Sequence, residues 1–572
     1  MKDKQEFYEL LGELDGRDFS EYNRIIGDYD FSRYVLKVTR VPTDASEPGT
    51  LFLLRVPSHV AGFPAHLHQT PIRRTALEDL LVRKMSAAIE ASSAYDEDGV
   101  SRKRLFLPKP GPQILPRSAL LITEDYVEAR VHVNLPVRRG RIHGEEARHI
   151  FFETLPAVVN ASLIYCNLDE QEAVAFVRLM EDADALRQML PTRGWVAFVG
   201  EGALLARRGP DGRAARTGGR PLAISAELWT EVELPNQGRI RGLGIPAGIT
   251  VVVGDEYSGR VEFLKAIAAG IYNHIPGDGR EYVISAPDAV YIAADPGRCI
   301  RRVDLGAFIR GDNPGREGSI YSTDDADPCA SQMAAMAEAL EVGSRVLLFD
   351  ESDSGTAFLA SDSRLDEIAG AGKRGILPLC AAAREMADHR GVSFVVGGRS
   401  SIAEWIPIAD TVLRIENFTV SDVTKEAKRL EIRRTDDKPN PEAVARLFEC
   451  SRHVVPSSLD PSSGRHDAIV GAESIYHLRF GKSVVDLQRV CQLADISQTE
   501  TIGLILYYAK SRYLREARSI REIMDLVDRD LSTEGLDCLT RDLRCDLARP
   551  RRFEIAAALN RLASLRIANM AE

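Results

Sequence analysis

The middle of the chain alternates short, nearly continuous apolar runs with amphipathic stretches. The apolar runs lie at residues 249–253, 345–351, 392–398 and 411–415. Between them, apolar residues recur at helical spacing in the segments 260–268 and 331–340. Strands that are apolar on both faces belong to parallel sheets covered by helices. We therefore predict an α/β core with a mainly parallel sheet in this part of the chain.

The two ends of the chain have other patterns. Towards the N-terminus, polar and apolar residues alternate in Tyr126–Asn134, which predicts a half-buried strand, and Ala76–Ala91 has the spacing of a helix. Towards the C-terminus, Ser519 and Glu522 form a capping box ahead of an apolar helix face. These patterns predict an α+β N-terminal domain and a small, mostly helical C-terminal domain.

A segment rich in proline, serine and aspartate, Thr435–Arg465, separates the core from the C-terminal domain and is interpreted as a linker. A chain of 572 residues is long enough for several domains. The predicted N-terminal domain, core, linker and C-terminal domain lie at residues 1–160, 161–425, 426–465 and 466–572.

Composition bears on the cellular location. No apolar run reaches the roughly 18 to 20 residues that a membrane helix needs, and the first residues lack the apolar core of a signal peptide. The eight cysteines are scattered and form no C-x-x-C pair, which is typical of reduced thiols rather than of a zinc site or a disulfide framework. We expect a cytoplasmic protein without a membrane partner.

The net charge of −11 argues against a surface that coats nucleic acid as a whole. Short basic segments nevertheless remain candidates for local contact with RNA or DNA. The candidate residues are Arg102, Arg138, Arg549, Arg551 and Arg552. Solvated connectors are the alternative interpretation, because no RNA-binding motif is present and acids follow the basic cluster at Arg138.

A phosphate-binding loop is predicted where the first apolar run meets its helix. Gly254 and Gly259 have the spacing of G-x-x-x-x-G-K-[ST], in which backbone amides and the helix N-terminus hold phosphate. The next two positions depart from the pattern. Arg260 stands at the lysine position, and Val261 stands where a hydroxyl would hold magnesium. The loop has the architecture of the motif without its two most specific side chains.

Three acids, Asp255, Glu256 and Glu262, lie in and beside this loop. Two like charges about 5 Å apart repel by roughly 3 kcal/mol at an effective dielectric constant near 20, so each acid opposes a bound triphosphate. Arginine can pair with phosphate but does not replace lysine as a point charge. The loop therefore predicts weakened or altered nucleotide binding. A strand–turn–helix that never binds a nucleotide is the alternative.

Asp350 and Glu351 end an apolar strand downstream of the loop. In P-loop ATPases an aspartate at this place holds magnesium, and a neighbouring acid activates the attacking water. Asp350 is therefore the candidate metal ligand and Glu351 the candidate residual general base. Two solvated acids at a strand end are the alternative. Gly481-Lys482-Ser483 has the letters of the motif but no preceding glycine loop, and we do not assign it to phosphate.

With these motifs in place, the chain resembles the predicted ABC-class ATPase family of bacteria, which is distinct from the ABC subunits of transporters. The resemblance runs from about residue 5 to about residue 567, and its most specific part is Tyr272–Glu281. It implies an ABC-type P-loop NTPase core that binds ATP and magnesium. It also implies pairing with a second copy or an intact relative through the ABC dimer surface. The implied nucleotide contacts are Gly254, Tyr257, Gly259, Arg260, Ser331 and Gln332.

The departures from this family lie at the expected site. The family loop typically reads Gly-Gly-Gly-Tyr-His-Gly-Lys-Ser-Thr, and this chain has Gly-Asp-Glu-Tyr-Ser-Gly-Arg-Val-Glu at residues 254–262. The family's signature-like stretch resembles Ala-Ser-Gly-Ser-Thr-Ser-Gln. Here Asp327 adds a negative charge and Pro328 removes an amide donor. In ABC ATPases this stretch of one subunit covers the γ-phosphate held by the other, so both halves of the composite site are altered.

Three hypotheses follow from the sequence. The first is an ABC-class ATPase fold with an impaired site, in which ATP and magnesium bind weakly, acting as a regulatory or scaffolding subunit. The second is a slow ATPase in which Arg260 replaces the lysine. The third is a nucleic-acid-associated protein that uses the basic segments.

Overall fold

The computed structural model describes residues 1–42, 49–92, 104–208, 214–215, 218–309, 316–317, 319–360, 375–432, 438–464 and 467–568. The chain divides into two compact units. The first unit comprises residues 1–181 and 534–549, and the second comprises residues 182–533 and 550–572. This division differs from the predicted domains, because a segment near the C-terminus belongs to the N-terminal unit, and the core, linker and C-terminal helices share one unit.

The first unit is built on a seven-stranded sheet of order β1-β2-β3-β4-β8-β5, in which β7 also pairs with β8. The strands of this unit are β1 (Lys2–Asp3), β2 (Gly27–Asp30), β3 (Val35–Val38), β4 (Thr50–Pro57), β5 (Leu105–Phe106), β6 (Gln113–Ile114), β7 (Leu120–Ile122), β8 (Tyr126–Val133), β9 (Val137–Arg138) and β10 (Arg141–Ile142). The helices are α1 (Lys4–Glu13), α2 (Ser58–Ala61), α3 (Pro71–Ser92), α4 (Gly144–His149) and α5 (Leu155–Ser162), with a π-helical turn (Ile150–Thr154) between the last two.

Strand β8 is more buried than its alternating sequence predicts. Glu128 and Arg130 are 1% and 3% exposed, so the strand is not half-buried. The charges are tolerated because they are paired: Glu128 accepts hydrogen bonds from Arg55 at 2.6 Å and from Arg130 at 2.9 Å. Arg130 also forms a bidentate pair with Asp537, at 2.6 and 2.7 Å. This pair anchors residues 534–549 to the first unit.

The second unit contains the predicted core from residue 182 onwards. Its helices are α6 (Glu170–Thr192), which begins in the first unit, α7 (Arg260–Ala269), α8 (Pro328–Glu341), α9 (Thr356–Leu359), α10 (Leu379–Arg390), α11 (Thr424–Ala427), α12 (Pro441–Glu449), α13 (Ile496–Arg512), α14 (Ile520–Thr533) and α15 (Arg552–Asn560). Its strands are β11 (Trp195–Gly200), β12 (Arg207–Arg208), β13 (Ala214–Ala215), β14 (Ala223–Ile224), β15 (Thr230–Leu234), β16 (Gly238–Pro246), β17 (Ile249–Val253), β18 (Asn273–His274), β19 (Val283–Ser285), β20 (Ala289–Tyr291), β21 (Ile300–Asp304), β22 (Arg316–Glu317), β23 (Ile320–Thr323), β24 (Val346–Asp350), β25 (Ser393–Gly398), β26 (Thr411–Glu416), β27 (Thr419–Asp422), β28 (His453–Val454), β29 (Val470–Ser474), β30 (His477–Phe480), β31 (Ser483–Asp486) and β32 (Arg518–Ser519).

The predicted α/β core with a mainly parallel sheet is confirmed. Seven strands have the order β14-β27-β26-β17-β25-β24-β20. Every neighbouring pair is parallel except the hairpin β26–β27. Because β17 lies between β25 and β26, the loop that follows β17 emerges at the centre of the carboxyl edge, where open α/β sheets bind their ligands.

The predicted linker is partly structured. Helix α12 buries Ala443, Val444 and Leu447 in the same apolar cluster as α8. The sequence analysis did not predict this helix because it is short and the segment around it is rich in proline, serine and aspartate. Downstream, Arg452 forms a buried ion pair with Glu341 at 2.6 Å, which fixes the following residues to the end of α8.

The C-terminal part of the second unit has helices α13–α15, and a three-stranded sheet, β29-β30-β31, precedes them. The predicted capping box is present: the Ser519 amide donates to Glu522 at 3.0 Å, and the Glu522 amide donates to Ser519 Oγ at 3.2 Å. Gly481 and Lys482 lie at the turn between β30 and β31, not before a helix. Among the described residues no helix is long and apolar enough to cross a bilayer.

The Arg130–Asp537 pair generates a prediction about stability. Asp537→Ala leaves the guanidinium of Arg130, which is 4% exposed, with Glu128 as its remaining ion-pair partner. We expect the free energy of unfolding to fall by about 1–3 kcal/mol, measured by urea denaturation. Asp542→Ala in the same segment is the control, since its pair with Arg40 is 66% exposed on both sides and should contribute less than about 1 kcal/mol. Equal losses in the two variants would contradict this anchoring.

Candidate functional site

The loop between β17 and α7 has the backbone of a phosphate-binding loop. Gly259 adopts φ +101° at the N-cap of α7, a conformation that L-residues rarely adopt. Gly254 lies where a Cβ would come within 2.7 Å of Ser258 Oγ and 2.8 Å of the Ile415 carbonyl oxygen. Both glycines are therefore required by the shape of the loop itself.

Arg260 points into the protein. Its Nη1 donates to Asp350 Oδ2 at 2.6 Å, and the two side chains are 5% and 0% exposed. Its Nε is buried without a hydrogen-bond partner in the described part of the chain, so the guanidinium is held through this ion pair. The arginine expected to meet phosphate instead neutralises the aspartate expected to hold magnesium.

The donor set around Asp350 does not fit a magnesium site. Its Oδ2 accepts from Arg260, and its Oδ1 accepts from the Ser352 amide at 2.9 Å and the Ser352 hydroxyl at 2.6 Å. The Val261 side chain offers no oxygen. Magnesium requires near-octahedral oxygen ligands, and here both carboxylate oxygens already accept from protein donors. No group of three or more His, Cys, Asp or Glu among the described residues is arranged to hold a metal.

Glu351 is bound by the loop that follows β25. Its carboxylate accepts from the amides of Arg399, Ser400 and Ser401 and from the Ser400 hydroxyl at 3.1 Å. Burial alone would raise the pKa of Glu351, but the hydrogen bonds outweigh burial and lower this pKa to about 2. The carboxylate therefore stays ionised and has little tendency to take a proton from water.

The tip of the loop contains Asp255, Glu256 and Tyr257. Asp255 forms an exposed ion pair with Arg399 at 2.9 Å. Tyr257 is 93% exposed and has φ +64°. The tip is thus tied to the loop that binds Glu351, while the predicted nucleotide contact at Tyr257 projects into solvent.

Glu262 acts electrostatically on a buried arginine. Arg280 is 6% exposed, and burial together with the nearby charge of Arg207 lowers its pKa to about 9. The negative charge of Glu262 acts in the opposite direction, since it favours the charged guanidinium. Asp278 acts on this pKa in the same direction as Glu262 and more strongly, so Glu262 is the smaller of two compensating charges.

Ser331 and Gln332, the predicted signature residues, are both fully buried. Ser331 Oγ accepts from the Asp295 amide at 2.9 Å and donates to the Pro328 carbonyl at 2.8 Å. The Gln332 amide group joins the Ile292 carbonyl, the Ser354 hydroxyl and the Gly355 amide. Both side chains therefore bind groups of the same chain and hold α8 in place.

Asp327 and Pro328 form a regular helix start. The Asp327 carboxylate accepts from the Cys329 and Ala330 amides at 2.8 and 3.0 Å, which caps α8. Pro328 is the first residue of the helix, where a missing amide costs nothing. The helix N-terminus that would face a phosphate is therefore already occupied by a carboxylate of the chain.

Sequence reasoning missed two residues that hold the loop. Arg399 binds Glu351 through its amide and Asp255 through its side chain. Phe418 donates its amide to the Ser258 carbonyl at 2.8 Å, and its ring packs against the second glycine of the loop. Neither residue belongs to a local motif. The one available signal was the position of Arg399 directly after the glycine pair that ends β25.

Two of the five basic candidates have side chains paired with carboxylates within the fold. Arg551 is paired with Glu554 and donates to two carbonyls, and Arg552 is paired with Asp525. The Arg549 amide donates to the Pro116 carbonyl at 3.0 Å. Arg138 is 61% exposed and lies 3.9 Å from Glu146. Arg102 lies outside the described residues.

Models of known protein families match successive parts of the chain. A model described as the N-terminal part of ATPases of the ABC class matches residues 4–166. The P-loop domain model of the ABC ATPases matches residues 169–449. A model described as the MRB1590 C-terminal domain matches residues 470–568.

Individual similar proteins match smaller parts. The uncharacterized protein MJ1628 of Methanocaldococcus jannaschii is 28% identical over 187 residues, which are 31% of this chain and 41% of that protein. The chain thus spans less than half the length of this relative. The ATP-binding cassette MJ1267 in its ADP conformation is 13% identical, with 33% of this chain and 86% of that one covered and a TM-score of 0.22. The structure of CbiO1 from Clostridium perfringens is 14% identical, with 45% and 93% covered and a TM-score of 0.23.

The buried ion pair gives a stability prediction. Asp350→Ala leaves Arg260 charged and unpaired, so the free energy of unfolding should fall by about 3–5 kcal/mol. The double variant Arg260→Met, Asp350→Leu should recover most of this loss, because an apolar pair needs no compensating charge. Asp388→Ala is the control, since its exposed pair with Arg384 should contribute less than about 1 kcal/mol. A double variant no more stable than Asp350→Ala would contradict the pairing.

Glu351 gives a pH prediction. Its folded-state pKa of about 2 lies below the ordinary value of 4.5, so its bonds stabilise the fold above about pH 4.5. This contribution is lost as the pH falls towards 2. At pH 7, after allowance for screening by solvent, Glu351→Gln should be about 1–2 kcal/mol less stable than the unchanged chain. The difference should narrow in urea unfolding between pH 5 and about pH 3. A difference independent of pH would disprove the assignment.

Proposed function

Because this chain belongs to the ABC-class ATPase family, whose P-loop domain in general binds ATP with magnesium, we propose that it is a member with an impaired nucleotide site. It acts as a regulatory or scaffolding subunit. The observation that supports this most strongly is the buried ion pair in which Arg260 Nη1 lies 2.6 Å from Asp350 Oδ2.

The ion pair competes with a nucleotide for both of its members. A triphosphate with its metal needs Arg260 to face phosphate and Asp350 to face magnesium, so the pair must separate. Separating the pair removes the mutual neutralisation of two buried charges, and bound phosphate and metal must replace it before they contribute to affinity. The acids at the loop tip add to this cost.

The carboxyl edge of the sheet is also neutralised from within. Cations that would attract a triphosphate are already beside carboxylates of the chain. The pairs are Arg260–Asp350, Arg399–Asp255, Arg489–Asp353 and Arg561–Asp295. A site of this kind has little net positive potential to offer an anion with several charges.

The state of Glu351 opposes hydrolysis, independently of how weakly the nucleotide binds. A general base works best with a pKa near the operating pH, and the pKa of Glu351 is about 2. Its carboxylate oxygens are occupied by amide and hydroxyl donors. In this proposal Glu351 acts as a positioning residue that closes the loop after β25.

The two other hypotheses have weaker support. A slow ATPase that uses Arg260 requires its guanidinium at the phosphates, whereas this group is 5% exposed and paired with Asp350. A nucleic-acid surface formed by Arg551 and Arg552 requires cations that are instead paired with carboxylates of the chain. For a scaffolding role, the ABC dimer surface is the natural site of contact with a second copy or an intact relative.

Calorimetric titration of the full chain with magnesium-ATP tests the proposal. We expect no measurable binding below about 1 mM and no change in melting temperature at about 5 mM nucleotide. A repaired loop, combining Asp255→Gly, Glu256→Gly, Arg260→Lys, Val261→Ser and Glu262→Thr, should recover binding. It should not recover turnover, because Glu351 is still held by the amides of the loop after β25 and Asp327 still caps α8.

If the chain did bind ATP tightly, the shift in its melting temperature would be large enough to measure. An ordinary ATPase with a dissociation constant of about 10 μM would be stabilised by nearly 4 kcal/mol at about 5 mM nucleotide, which raises the melting temperature by several degrees. Steady phosphate release that disappears in Glu351→Gln would establish the slow ATPase in place of this proposal.

A further inference from the structure

A small cavity lies in the second unit, apart from the candidate nucleotide site. Its volume is about 50 Å³, and it is bordered by β20, α8, α15 and the segment 489–492. Among the described residues, no member of the β17–α7 loop lines this cavity, and neither Asp350 nor Glu351 does. Such a volume holds about four waters, or a ligand of about four or five non-hydrogen atoms. The cavity is therefore large enough for a small organic molecule.

Alanines of two helices leave the space. Ala335 and Ala339 are one turn apart on α8, and Ala556 and Ala557 lie on α15, which contacts α8. Each contributes only a methyl group, so the gap between the helices is not filled by side chains. The rest of the wall is also mostly apolar. Such a wall suits the hydrocarbon part of a ligand.

One buried carboxylate of the wall has unused capacity to accept hydrogen bonds. Glu338 lies on α8 three residues after Ala335, and it is 4% exposed. Its Oε2 lies 3.0 Å from Arg298 Nη2, and its Oε1 has no hydrogen-bond partner in the described part of the chain. An ionised carboxylate offers about four acceptor positions. Because a buried acceptor without a donor is costly, an N–H or O–H group of a ligand is favoured here.

The other acid and the amide of the wall already have partners. Glu554 accepts from the amide of Arg551 at 3.1 Å and also from its guanidinium. Gln492 donates to the Ala289 carbonyl at 3.1 Å and accepts from the Tyr291 amide at 3.0 Å. A donor in the cavity is therefore directed to Glu338. The same bonds fix the wall, so little ordering is needed when a ligand binds.

The charges around the cavity balance, which favours an uncharged ligand. Each charged side chain of the wall has a partner of opposite charge. The pairs are Glu338–Arg298, Arg561–Asp295, Arg489–Asp353 and Glu554–Arg551. A charged ligand would add an uncompensated charge, which costs more than burying a neutral group that is hydrogen-bonded. Arg489 and Cys491, which line the cavity, are both exposed, so a ligand can enter from the surface there.

We propose that this cavity binds a small uncharged molecule whose apolar part lies against the alanines of α8 and α15 and whose amide or hydroxyl group donates to Glu338. Waters fit the cavity less well, because a buried water makes about three hydrogen bonds and most of the wall is apolar. The ligand contacts α8 and the edge strand β20 of the parallel sheet together. This inference goes beyond the proposed function and does not depend on it.

Four molecules of nearly the same shape separate the effect of the donor from that of charge. They are propionamide, butanone, propionate and propionamidinium, which carry an uncharged donor, no donor, a negative charge and a positive charge. In saturation-transfer NMR of the full chain, we expect propionamide to bind with a dissociation constant of about 1–10 mM, as suits so few atoms. Butanone should bind at least about tenfold more weakly, because it cannot donate to Glu338. Both ions should also bind more weakly than propionamide, because neither charge is compensated.

Variants of the wall locate the binding. Ala335→Leu and Ala557→Leu each fill part of the cavity from a different helix, so each should weaken the binding of propionamide at least about tenfold. Ala387→Leu on α10 is the matched control, because this alanine is also partly buried but does not line the cavity. It should bind propionamide as the unchanged chain does. Melting temperatures show whether each variant is folded, and the comparison of the four molecules requires no variant.

The proposal is wrong if propionamide does not bind below about 50 mM or if butanone binds equally well. Tighter binding of either ion would assign the cavity to a charged ligand. Unchanged binding in both filled variants would place propionamide elsewhere, and a crystal soaked with propionamide that shows only waters in the cavity would also contradict the proposal. None of these measurements involves ATP. Their failure leaves the proposed function intact, and tight ATP binding would refute the proposed function alone.

Discussion

The ion pair between Arg260 and Asp350 is the interaction on which the site depends. It joins the first residue of α7 to the last residue of β24 across 90 positions of sequence, with both side chains almost fully buried. Two charges in such a place must neutralise each other, because either one alone would be costly. The pair therefore stabilises the loop and sheet together in the absence of any ligand. In a nucleotide-binding site of this architecture, metal and phosphate would provide those counter-charges instead.

Other acids at the site also have partners within the chain. Glu351 satisfies the amides of the loop after β25, and Asp327 caps α8. The negative charge of Glu262, together with the larger effect of Asp278, opposes the lowering of the pKa of the buried Arg280. Each of these acids, which would disfavour a triphosphate, has a bonding or electrostatic role within the chain, so the edge of the sheet keeps its shape through internal contacts. The loop tip is the exception, since the ring of Tyr257 faces solvent.

Much of this fold is visible in the sequence because it depends on local spacing. Continuous apolar runs located the strands of the parallel sheet, and the interval between Gly254 and Gly259 located the loop, since only glycine fits there. The direction of the Arg260 side chain could not be predicted, because its partner lies in a distant strand. The buried charges of β8 were mistaken for a solvent face for the same reason: Arg130 is balanced by Asp537, which is 407 residues away. Pairing between distant charges leaves no periodic signal.

A crystal structure of the full chain grown with millimolar magnesium-ATP would show whether the ion pair excludes the nucleotide. We expect Arg260 Nη1 to stay about 2.6 Å from Asp350 Oδ2, with no density for a triphosphate above Gly259. A triphosphate bound at the loop, with Arg260 turned towards its phosphates and a metal on Asp350, would refute the impaired site.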